Sequence, residues 1–388
     1  MTRLLVQVSP GELWAALTVD EDVEALRLVR TLGAPGRGDL YLGRVVALRP
    51  ELPAALVDIG AGRPAFLDVA ALPREGEAII VKVVRSARAD KAATLTTKLD
   101  AADEARAKST STGSPPLLLH RRDTALIALL REFGAGAAEI ILDDAAALAD
   151  ARAWLARHRA EATATLHRDT LPLFEAHGIA DRVAAALQQR VALPAGGAIT
   201  IEPTAAAILI DVDGGKAGAM DANLAAVIEI ARQIRLRDLA GPIVVDFIGM
   251  ADRGRRTRLE AAIAASLAEL EVELLGWTRL GHFELVRPRR RPSLMELLFE
   301  RPAGGCLIKT PLTVALEAMR QVQRDSHATP AARFILRVPP EVAAALEGEA
   351  AAALRELETR LGHRLALHAD THQSRERFVV EHAPIRAD

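Results

Sequence analysis

The sequence has 388 residues, half of them hydrophobic, and a formal net charge of −2, so it is long and apolar enough for two to four domains. A near-neutral charge excludes a global attraction to polyanions, so any contact with nucleic acid must come from local arginine clusters. The lone Cys306 excludes a disulfide framework and a cysteine zinc site, and it favours a reducing cytoplasm. The N-terminal apolar run is too short for a signal peptide, and no run of about 18 apolar residues predicts a membrane span.

The N-terminal part of the chain predicts short strands. Leu4 to Val8 and Leu13 to Thr18 flank the turn pair Pro10-Gly11, which is typical of a hairpin. Five further strands follow within about 60 residues, a density that favours a small barrel of the OB type, a frequent oligonucleotide binder. Their expected spans are 40–48, 54–60, 64–68, 78–84 and 93–97. A small barrel without a ligand is the alternative.

A polar, helix-prone stretch and a Ser/Thr/Pro-rich segment, residues 101–116, predict a linker. Alternating strands and helices from 117 to 157 then favour an α/β unit. A helix over 179–189 and a turn at 193–197 lead into the central stretch. The last part, from 311 to 381, predicts a small α+β domain.

The stretch from Ala205 to Met250 carries the chemistry. In the strand around Ile208 to Asp213, alternation places Asp211 and Asp213 on the face opposite the apolar residues. A second apolar run ends on Asp246. Carboxylates at the ends of neighbouring strands suit a hard cation such as Mg²⁺. An ordinary Asp-Gly strand exit remains the alternative at this point.

Arginines accompany these acids and could contact phosphates. The helix between the two strands is expected to present Arg232, Arg235 and Arg237 on its outer face. Beyond a second helix, a basic run contains Arg287, Arg289 and Arg290, for which a solvated loop is the alternative.

The chain resembles the ribonuclease E/G endoribonuclease family over nearly its whole length. In the barrel the resemblance rests on Tyr41 to Val45, Val57 to Gly60, Ala65 to Leu67 and Leu95 to Thr97. In the central part it rests on Ile210-Asp211-Val212, Asn223-Leu224, Ala231 to Leu239, Val245 to Ile248, Thr278 to Gly281, Glu284 to Arg287 and Lys309-Thr310-Pro311. The order of so many short motifs makes the resemblance specific.

The resemblance implies a multidomain α/β and α+β architecture in which an OB-type RNA-binding barrel is inserted in an RNase H-like subdomain. A DNase I-like catalytic subdomain and a small α+β C-terminal domain follow. The expected ranges are 1–36 and 115–195 for the RNase H-like part, 37–100 for the barrel, 101–116 for the linker, 196–298 for the catalytic part, 299–310 for a degenerate zinc link and 311–388 for the small domain.

The resemblance also implies the site. Asp211 and Asp246 would hold Mg²⁺, with Asp213 as a supporting catalytic residue, and a metal-activated water would cleave single-stranded RNA to leave 5′-phosphate and 3′-hydroxyl ends. Phe66 and Lys91 of the barrel would stack a base and contact the RNA backbone. The remaining RNA contacts are assigned to the arginines, namely Arg232, Arg235, Arg237, Arg279, Arg287, Arg289 and Arg290.

Several positions depart from the family pattern. Asp213 stands where the family has asparagine, Gly249 where it has aspartate, and Leu56 where it has a second barrel aromatic. The family's zinc-binding cysteines, which link two subunits, are replaced, so we expect no zinc and no zinc-linked dimer, and the oligomeric state stays open. The sensor domain for the RNA 5′ end, with its Arg-Thr-Ala-Gly motif, is absent from the sequence.

Three functions remain at this stage. The first is a Mg²⁺-dependent endoribonuclease acting in RNA processing or decay. The second is an RNA-binding or ribosome-associated protein whose catalytic site has decayed, which Gly249 and Leu56 would permit. The third is a phosphohydrolase of a small substrate, which the barrel and the arginines disfavour because they suit a polymer.

Overall fold

The computed structural model describes residues 1–383 except 34, 50, 69–71, 88–91, 111–112, 122–123, 160, 195, 251, 303–304 and 330–331. By its contacts the chain divides into a first unit, Met1–Arg30 with Leu129–Asp388, and a second unit, Thr31–Ala128, inserted into it in sequence. Within the described residues, no helix is both long and apolar enough to cross a membrane.

The chain begins with three antiparallel strands, β1 (Thr2–Ser9), β2 (Glu12–Val19) and β3 (Asp22–Arg30). Gly11 takes a φ of +81° in the first turn, so the predicted hairpin is confirmed. The third strand was not predicted.

The second unit contains the predicted barrel. Its elements are β4 (Leu40–Arg49), β5 (Ala54–Asp58), β6 (Ala65–Asp68), β7 (Ala78–Arg85), β8 (Thr94–Thr96), α1 (Ala101–Thr110) and β9 (Leu117–His120). The first five strands pair in the order β5-β6-β8-β7-β4, and a further pairing of β4 with β5 closes the barrel. A register shift between Val45 and Ala47 accompanies the change of partner along β4, from β7 to β5. Residues from all five strands fill the interior.

The polar stretch after Asp100 contains helix α1, as its helix-prone composition predicts, and Asp103 of this helix accepts a 2.6 Å hydrogen bond from Lys82 of β7. The expectation that the strand beginning at residue 117 belongs to the α/β unit is wrong. Strand β9 pairs with β4 of the barrel and not with the α/β unit. Sequence alternation shows that a strand exists, whereas its partner depends on which sheet edge is open.

The first unit then resumes its N-terminal sheet. The next elements are α2 (Ala125–Leu129), a π-helical turn (Leu130–Gly134), β10 (Glu139–Leu142), α3 (Ala145–His158), β11 (Thr163–Leu166), α4 (Leu173–Ala176) and α5 (Ile179–Ala186). Strands β10 and β11 are parallel to β1, which gives a five-stranded mixed sheet in the order β11-β10-β1-β2-β3. The N-cap Asp144 accepts from the backbone amides of Ala146 and Ala147 and fixes the start of α3.

A second, six-stranded sheet forms the centre of the first unit. Its elements are β12 (Arg190–Ala192), β13 (Ala198–Pro203), β14 (Ile208–Asp213), α6 (Ala219–Arg237), β15 (Gly241–Asp246), α7 (Arg253–Leu267), β16 (Glu273–Trp277) and β17 (Phe283–Arg287). The strand order is β12-β13-β14-β15-β17-β16, and β14 and β15 are parallel. Helices α6 and α7 share one apolar core with the buried face of this sheet.

The rest of the chain forms small elements. They are α8 (Leu294–Leu298), β18 (Phe299–Glu300), β19 (Ile308–Lys309), α9 (Pro311–Ala328), β20 (Arg333–Val338), α10 (Pro340–Glu347), α11 (Ala351–Leu361), β21 (Ala366–Ala369) and β22 (Val379–Ala383). A three-stranded sheet, β21-β20-β22, together with its helices agrees with the predicted α+β composition. The helical part after β20 consists of two helices, α10 and α11, with Gly348 as the C-cap of the first.

Candidate active site

Strand β14 alternates strictly between buried and exposed residues. Ile208, Ile210 and Val212 face the core, and Leu209, Asp211 and Asp213 face outward. The sequence prediction for the two aspartates is therefore confirmed, because a period of two follows directly from strand geometry. On β15 the same alternation leaves Asp246 exposed at the end of the strand.

The parallel register of β14 and β15 pairs Asp211 with Asp246. Neighbouring strands lie about 4.8 Å apart, so the two carboxylates leave adjacent backbone positions on one exposed face. This is the acid pair. Its geometry is set by a β-α-β crossover through α6, which brings the carboxyl ends of both strands to the same edge.

Asn223, near the start of α6, holds the chain immediately after Asp246. Its side-chain amide donates to the carbonyl of Ile248 at 2.9 Å and accepts from the amide of Ile248 at 3.0 Å, and the residue is fully buried. The two bonds satisfy both backbone groups of a loop residue and fix the direction in which the chain leaves β15. Asn223 of the Asn-Leu motif thus fixes the position of the backbone that follows Asp246.

His282 lies beside the acid pair. Its Nε2 atom is 3.8 Å from Asp246 Oδ2, and both side chains are partly exposed. The turn that carries it, between β16 and β17, is fixed by bonds between the backbones of Thr278, Gly281 and His282. Arg279 in the same turn is exposed and has no acidic partner within the described part of the chain.

Asp213, the third predicted acid, has a different environment. Its Oδ2 accepts a 2.8 Å hydrogen bond from Arg190 Nη2, and its Oδ1 accepts from the backbone amide of Gly215 at 3.0 Å. The hydrogen bond from Arg190, followed by that from Gly215, lowers the pKa of Asp213 below its ordinary value. The side chain therefore stays ionised at neutral pH and is paired with a cation.

Arg190 was not recognised from the sequence. It lies on β12, and its register partner on β13 is Thr200, which in turn pairs with Asp211. One row of register partners thus crosses four strands and consists of Arg190, Thr200, Asp211 and Asp246. On the next strand, β17, Phe283 pairs with Val245, so His282, the residue before Phe283, lies beside Asp246 and extends the row. The alternation of Arg190 and Ala192 with Val191 and Leu193 before a Gly-Gly turn is the signal that could have revealed the strand.

The acid pair fits a hard cation. Among the described residues, no three His, Cys, Asp or Glu side chains come together in a way that could hold a metal ion. Mg²⁺ is commonly held by one or two carboxylates and completes its octahedron with waters and substrate phosphate oxygens. Two adjacent, exposed carboxylates meet that requirement.

The other predicted RNA contacts are distributed differently from the expectation. Arg237 is only 2% exposed, and it donates to Gln233 Oε1 at 2.6 Å and to the carbonyl of Gln188 at 2.7 Å. The prediction that it lies on the outer face of α6 is wrong, because that side of the helix is covered by the rest of the first unit. Arg232 and Arg235 are partly buried beside Glu229 and Glu24.

The basic run lies at the far end of the sheet. Arg287 pairs in register with Gly241, five residues before Asp246, which corresponds to about 16 Å along the strand. Arg287, Arg289 and Arg290 form ion pairs with Asp238, Glu296 and Glu271. The expectation that this run lies near the acids is therefore wrong, since β17 is antiparallel to β15 and its C-terminal end points away from the site. Contact of these arginines with RNA phosphates stays a prediction.

In the barrel, Phe66 is half-buried on β6 and pairs in register with Leu56 of β5. Its neighbours Ala65 and Leu67 point into the core, so the ring lies on the outer surface of the barrel. Lys91 lies outside the described residues. At Gly249 a Cβ would meet no atom within 4 Å, so the aspartate of the family pattern would fit there.

Comparison with known proteins gives a consistent result. The model of the Ribonuclease E/G family matches residues 69–290. The chain is 26% identical to Ribonuclease G of Escherichia coli (strain K12) and 25% identical to Ribonuclease G of Salmonella typhimurium (strain SL1344), each over 97% of this chain and 99% of the relative. It is 25% identical to Ribonuclease E of Escherichia coli (strain K12) over 93% of this chain and 44% of that protein.

The alignments with Ribonuclease G extend over 483 positions, whereas this chain has 388 residues. At least 95 positions of those relatives consequently have no counterpart here.

Proposed function

Because the chain belongs to the ribonuclease E/G family, we propose that it is a Mg²⁺-dependent endoribonuclease that cleaves single-stranded RNA to 5′-phosphate and 3′-hydroxyl ends. The observation that carries this proposal is the register pairing of Asp211 with Asp246 on one exposed face. Bound there, Mg²⁺ would polarise a phosphate oxygen and lower the pKa of a water.

The residues of the chain have separate roles in this proposal. Asp211 and Asp246 hold the cation, and Asn223 keeps the loop after Asp246 in place through Ile248. Arg279, exposed at the same end of the sheet, contacts the RNA backbone. Phe66 stacks a base, an interaction that suits single strands because every base offers a flat face.

The finer architecture is also part of the proposal. The order β11-β10-β1-β2-β3 suits an RNase H-like subdomain, and the six-stranded sheet with α6 and α7 on one face suits a DNase I-like subdomain. We place the protein in the cytoplasm, as a shortened family member without the 5′-end sensor. The missing positions of the alignment support that absence.

The test is cleavage of a fluorescent single-stranded RNA by the purified chain with and without Mg²⁺. The parent chain is expected to cut only with the cation, and Asp211→Asn is expected to lose at least about 100-fold in rate, since a ligand that supports charge stabilisation contributes several kcal/mol. The 5′ end of the downstream product is assigned by kinase labelling with and without prior phosphatase treatment, because a 5′-phosphate is labelled only after the treatment and a 5′-hydroxyl is labelled without it.

Two results would count against the proposal. Cleavage by Asp211→Asn at the parent rate would show that the reaction does not use the acid pair. RNA binding without any cleavage at any Mg²⁺ concentration would favour the catalytically decayed RNA-binding protein. In that case Gly249→Asp, which the open space at Gly249 accommodates, is the variant to examine for restored activity.

A further inference from the structure

Among the residues that the structure describes, Arg190 is the only cation in the cross-strand row on the β12 side of the acid pair. Its register partner Thr200 is the neighbour of Asp211, so Arg190 and Asp211 are two strand spacings apart, about 10 Å between Cα atoms. The Arg190 side chain is 61% exposed and lies on the same open face as the two acids. A phosphate next to the one at the acid pair would lie within reach of its guanidinium.

Asp213 fixes this arginine. The Arg190–Asp213 contact uses one guanidinium nitrogen, and Gly215 occupies the other carboxylate oxygen of Asp213. The four remaining N–H donors of Arg190 have no protein acceptor among the described residues. The arginine is thus held in place by one bond while most of its hydrogen-bonding capacity faces solvent.

We propose that Arg190 is a substrate-positioning residue that binds an RNA backbone phosphate adjacent to the scissile one, and that Asp213 acts by holding Arg190 rather than by binding the metal. This inference rests on the proposed RNA-cleaving function. It accounts for the acid at position 213 without adding a third negative charge to the metal site, because the charge of Asp213 is neutralised by its partner. The RNA would cross the strands, with Arg190 on one side of the acids and Arg279 on the other.

The alternative role for Asp213 is a third metal-supporting ligand, and the two roles predict different phenotypes. A metal-supporting residue changes the Mg²⁺ concentration needed for half-maximal rate. A residue that holds Arg190 changes the KM for RNA and the salt dependence of binding, and its effect disappears once Arg190 is removed.

The experiment is a double-mutant cycle of Arg190→Gln and Asp213→Asn in the full chain. KM, kcat and the Mg²⁺ midpoint are measured by cleavage, and the RNA dissociation constant is measured by fluorescence anisotropy in EDTA at several salt concentrations. Arg190→Gln is expected to raise KM and the dissociation constant about 10-fold, the order of a hydrogen bond to a charged group. The salt slope should fall by about 0.7, the contribution of one phosphate contact on a single strand.

Asp213→Asn should raise KM in the same direction by a smaller factor and leave the Mg²⁺ midpoint unchanged. The double variant should be no weaker than Arg190→Gln alone. The matched control is Arg182→Gln with Asp22→Asn, another exposed Arg–Asp pair of the first unit, outside the row, for which no change is expected.

Two outcomes would overturn the inference. One is a shift of the Mg²⁺ midpoint by Asp213→Asn that persists when Arg190 is already replaced. The other is an unchanged dissociation constant and salt slope for Arg190→Gln. Because anisotropy in EDTA needs no cleavage, a chain that binds RNA without cutting it would contradict the proposed function and still decide the role of Arg190.

Discussion

At the scale of single residues, the acid pair has opposite effects on catalysis and on stability. Asp211 and Asp246 repel each other across adjacent strands when no cation lies between them. Asp211→Ala and Asp246→Ala should therefore abolish cleavage and leave the melting temperature in EDTA unchanged or slightly raised. Thermal denaturation with and without Mg²⁺ should show stabilisation by the cation in the parent only.

The control for this pair is Asp150→Ala, which removes an exposed carboxylate from α3 in the same unit. It should preserve both cleavage and the stabilisation by Mg²⁺. A clear loss of melting temperature in the Asp211 or Asp246 variants would mean that these carboxylates make structural contacts.

Asp143 provides a pH-dependent prediction. Burial at the end of β10 raises its pKa to about 6, although the amide of Val8 donates to it at 2.7 Å and opposes the shift. An acid with a raised pKa in the folded state costs no stability below its unfolded pKa near 4, and it costs progressively more as the pH rises to about 6. Asp143→Asn keeps the acceptor for Val8 and removes the ionisation.

The variant should match the parent near pH 4 and become more stable as the pH rises to 6, with a constant advantage of roughly 3 kcal/mol above that. Urea denaturation between pH 4 and 8 measures the difference. An advantage that does not change with pH would show that the ionisation of Asp143 is not its cause.

At the scale of elements, the turn between β12 and β13 is packed directly against the end of β14. Gly197 has a φ of +84°, and a Cβ there would lie 2.1 Å from the backbone oxygen of Asp213. Gly197→Ala should therefore destabilise the fold by more than about 2 kcal/mol, because strain at positive φ is combined with a backbone clash.

Gly196→Ala is the matched variant. Gly196 has a φ of +90°, and a Cβ there would meet no atom within 4 Å, so it should cost only the backbone strain of about 1–2 kcal/mol. The difference in unfolding free energy between the two variants measures the clash. Equal values would mean that the loop after β14 moves aside without cost.

The outer surface of the barrel gives a second prediction at this scale. Phe66 and Leu56 are cross-strand neighbours, so one aromatic ring and one aliphatic side chain form the surface available to bases. Phe66→Ala should weaken RNA binding by about 1–3 kcal/mol, the contribution of one stacked base. Val46→Ala removes another exposed apolar side chain of the barrel and should leave the affinity unchanged.

The segment that replaces the zinc link is also an element with its own contacts. Strands β18 and β19 pair through Phe299–Lys309 and Glu300–Ile308. Arg375 bonds to both Glu300 and Glu341. The absence of structural zinc stays a prediction, which elemental analysis of the purified chain can test.

At the scale of the whole molecule, the proposed absence of a sensor domain predicts how RNA is selected. A preference for a 5′-monophosphate is a coupling between two binding sites and requires the second site to exist. We expect equal cleavage rates for one oligonucleotide with a 5′-monophosphate, a triphosphate or a hydroxyl. A monophosphate advantage of about tenfold, or 1.4 kcal/mol, would require another pocket for that end.

Arg121 and Arg122, which follow the Ser/Thr/Pro-rich segment in sequence, are the residues that we consider for such a pocket. Arg121 lies 3.7 Å from Asp39 within the second unit, so part of its charge is already balanced. Arg122 lies outside the described residues. Arg121→Gln is the variant that should remove an advantage of the monophosphate if one is measured.

The sequence by itself determined the local features of this protein. The hairpin, the five barrel strands and the exposure of Asp211 and Asp213 follow from side-chain period and turn residues, which are local properties. The order of the family motifs identified the acid pair. These features depend on residues only a few positions apart, so a single amino-acid sequence is sufficient to predict them.

Only the tertiary structure decided which strands are neighbours and in which register. The strand pairing places Arg190 in the same row as Asp211, and it places Arg287 of the basic run about 16 Å from Asp246. The tertiary structure also buries Arg237 and pairs β9 with the barrel strand β4. Each of these outcomes joins residues distant in sequence, and the free energy that selects them comes from burying whole faces. The local sequence pattern does not predict which strands pair, because every strand edge offers the same hydrogen-bonding groups.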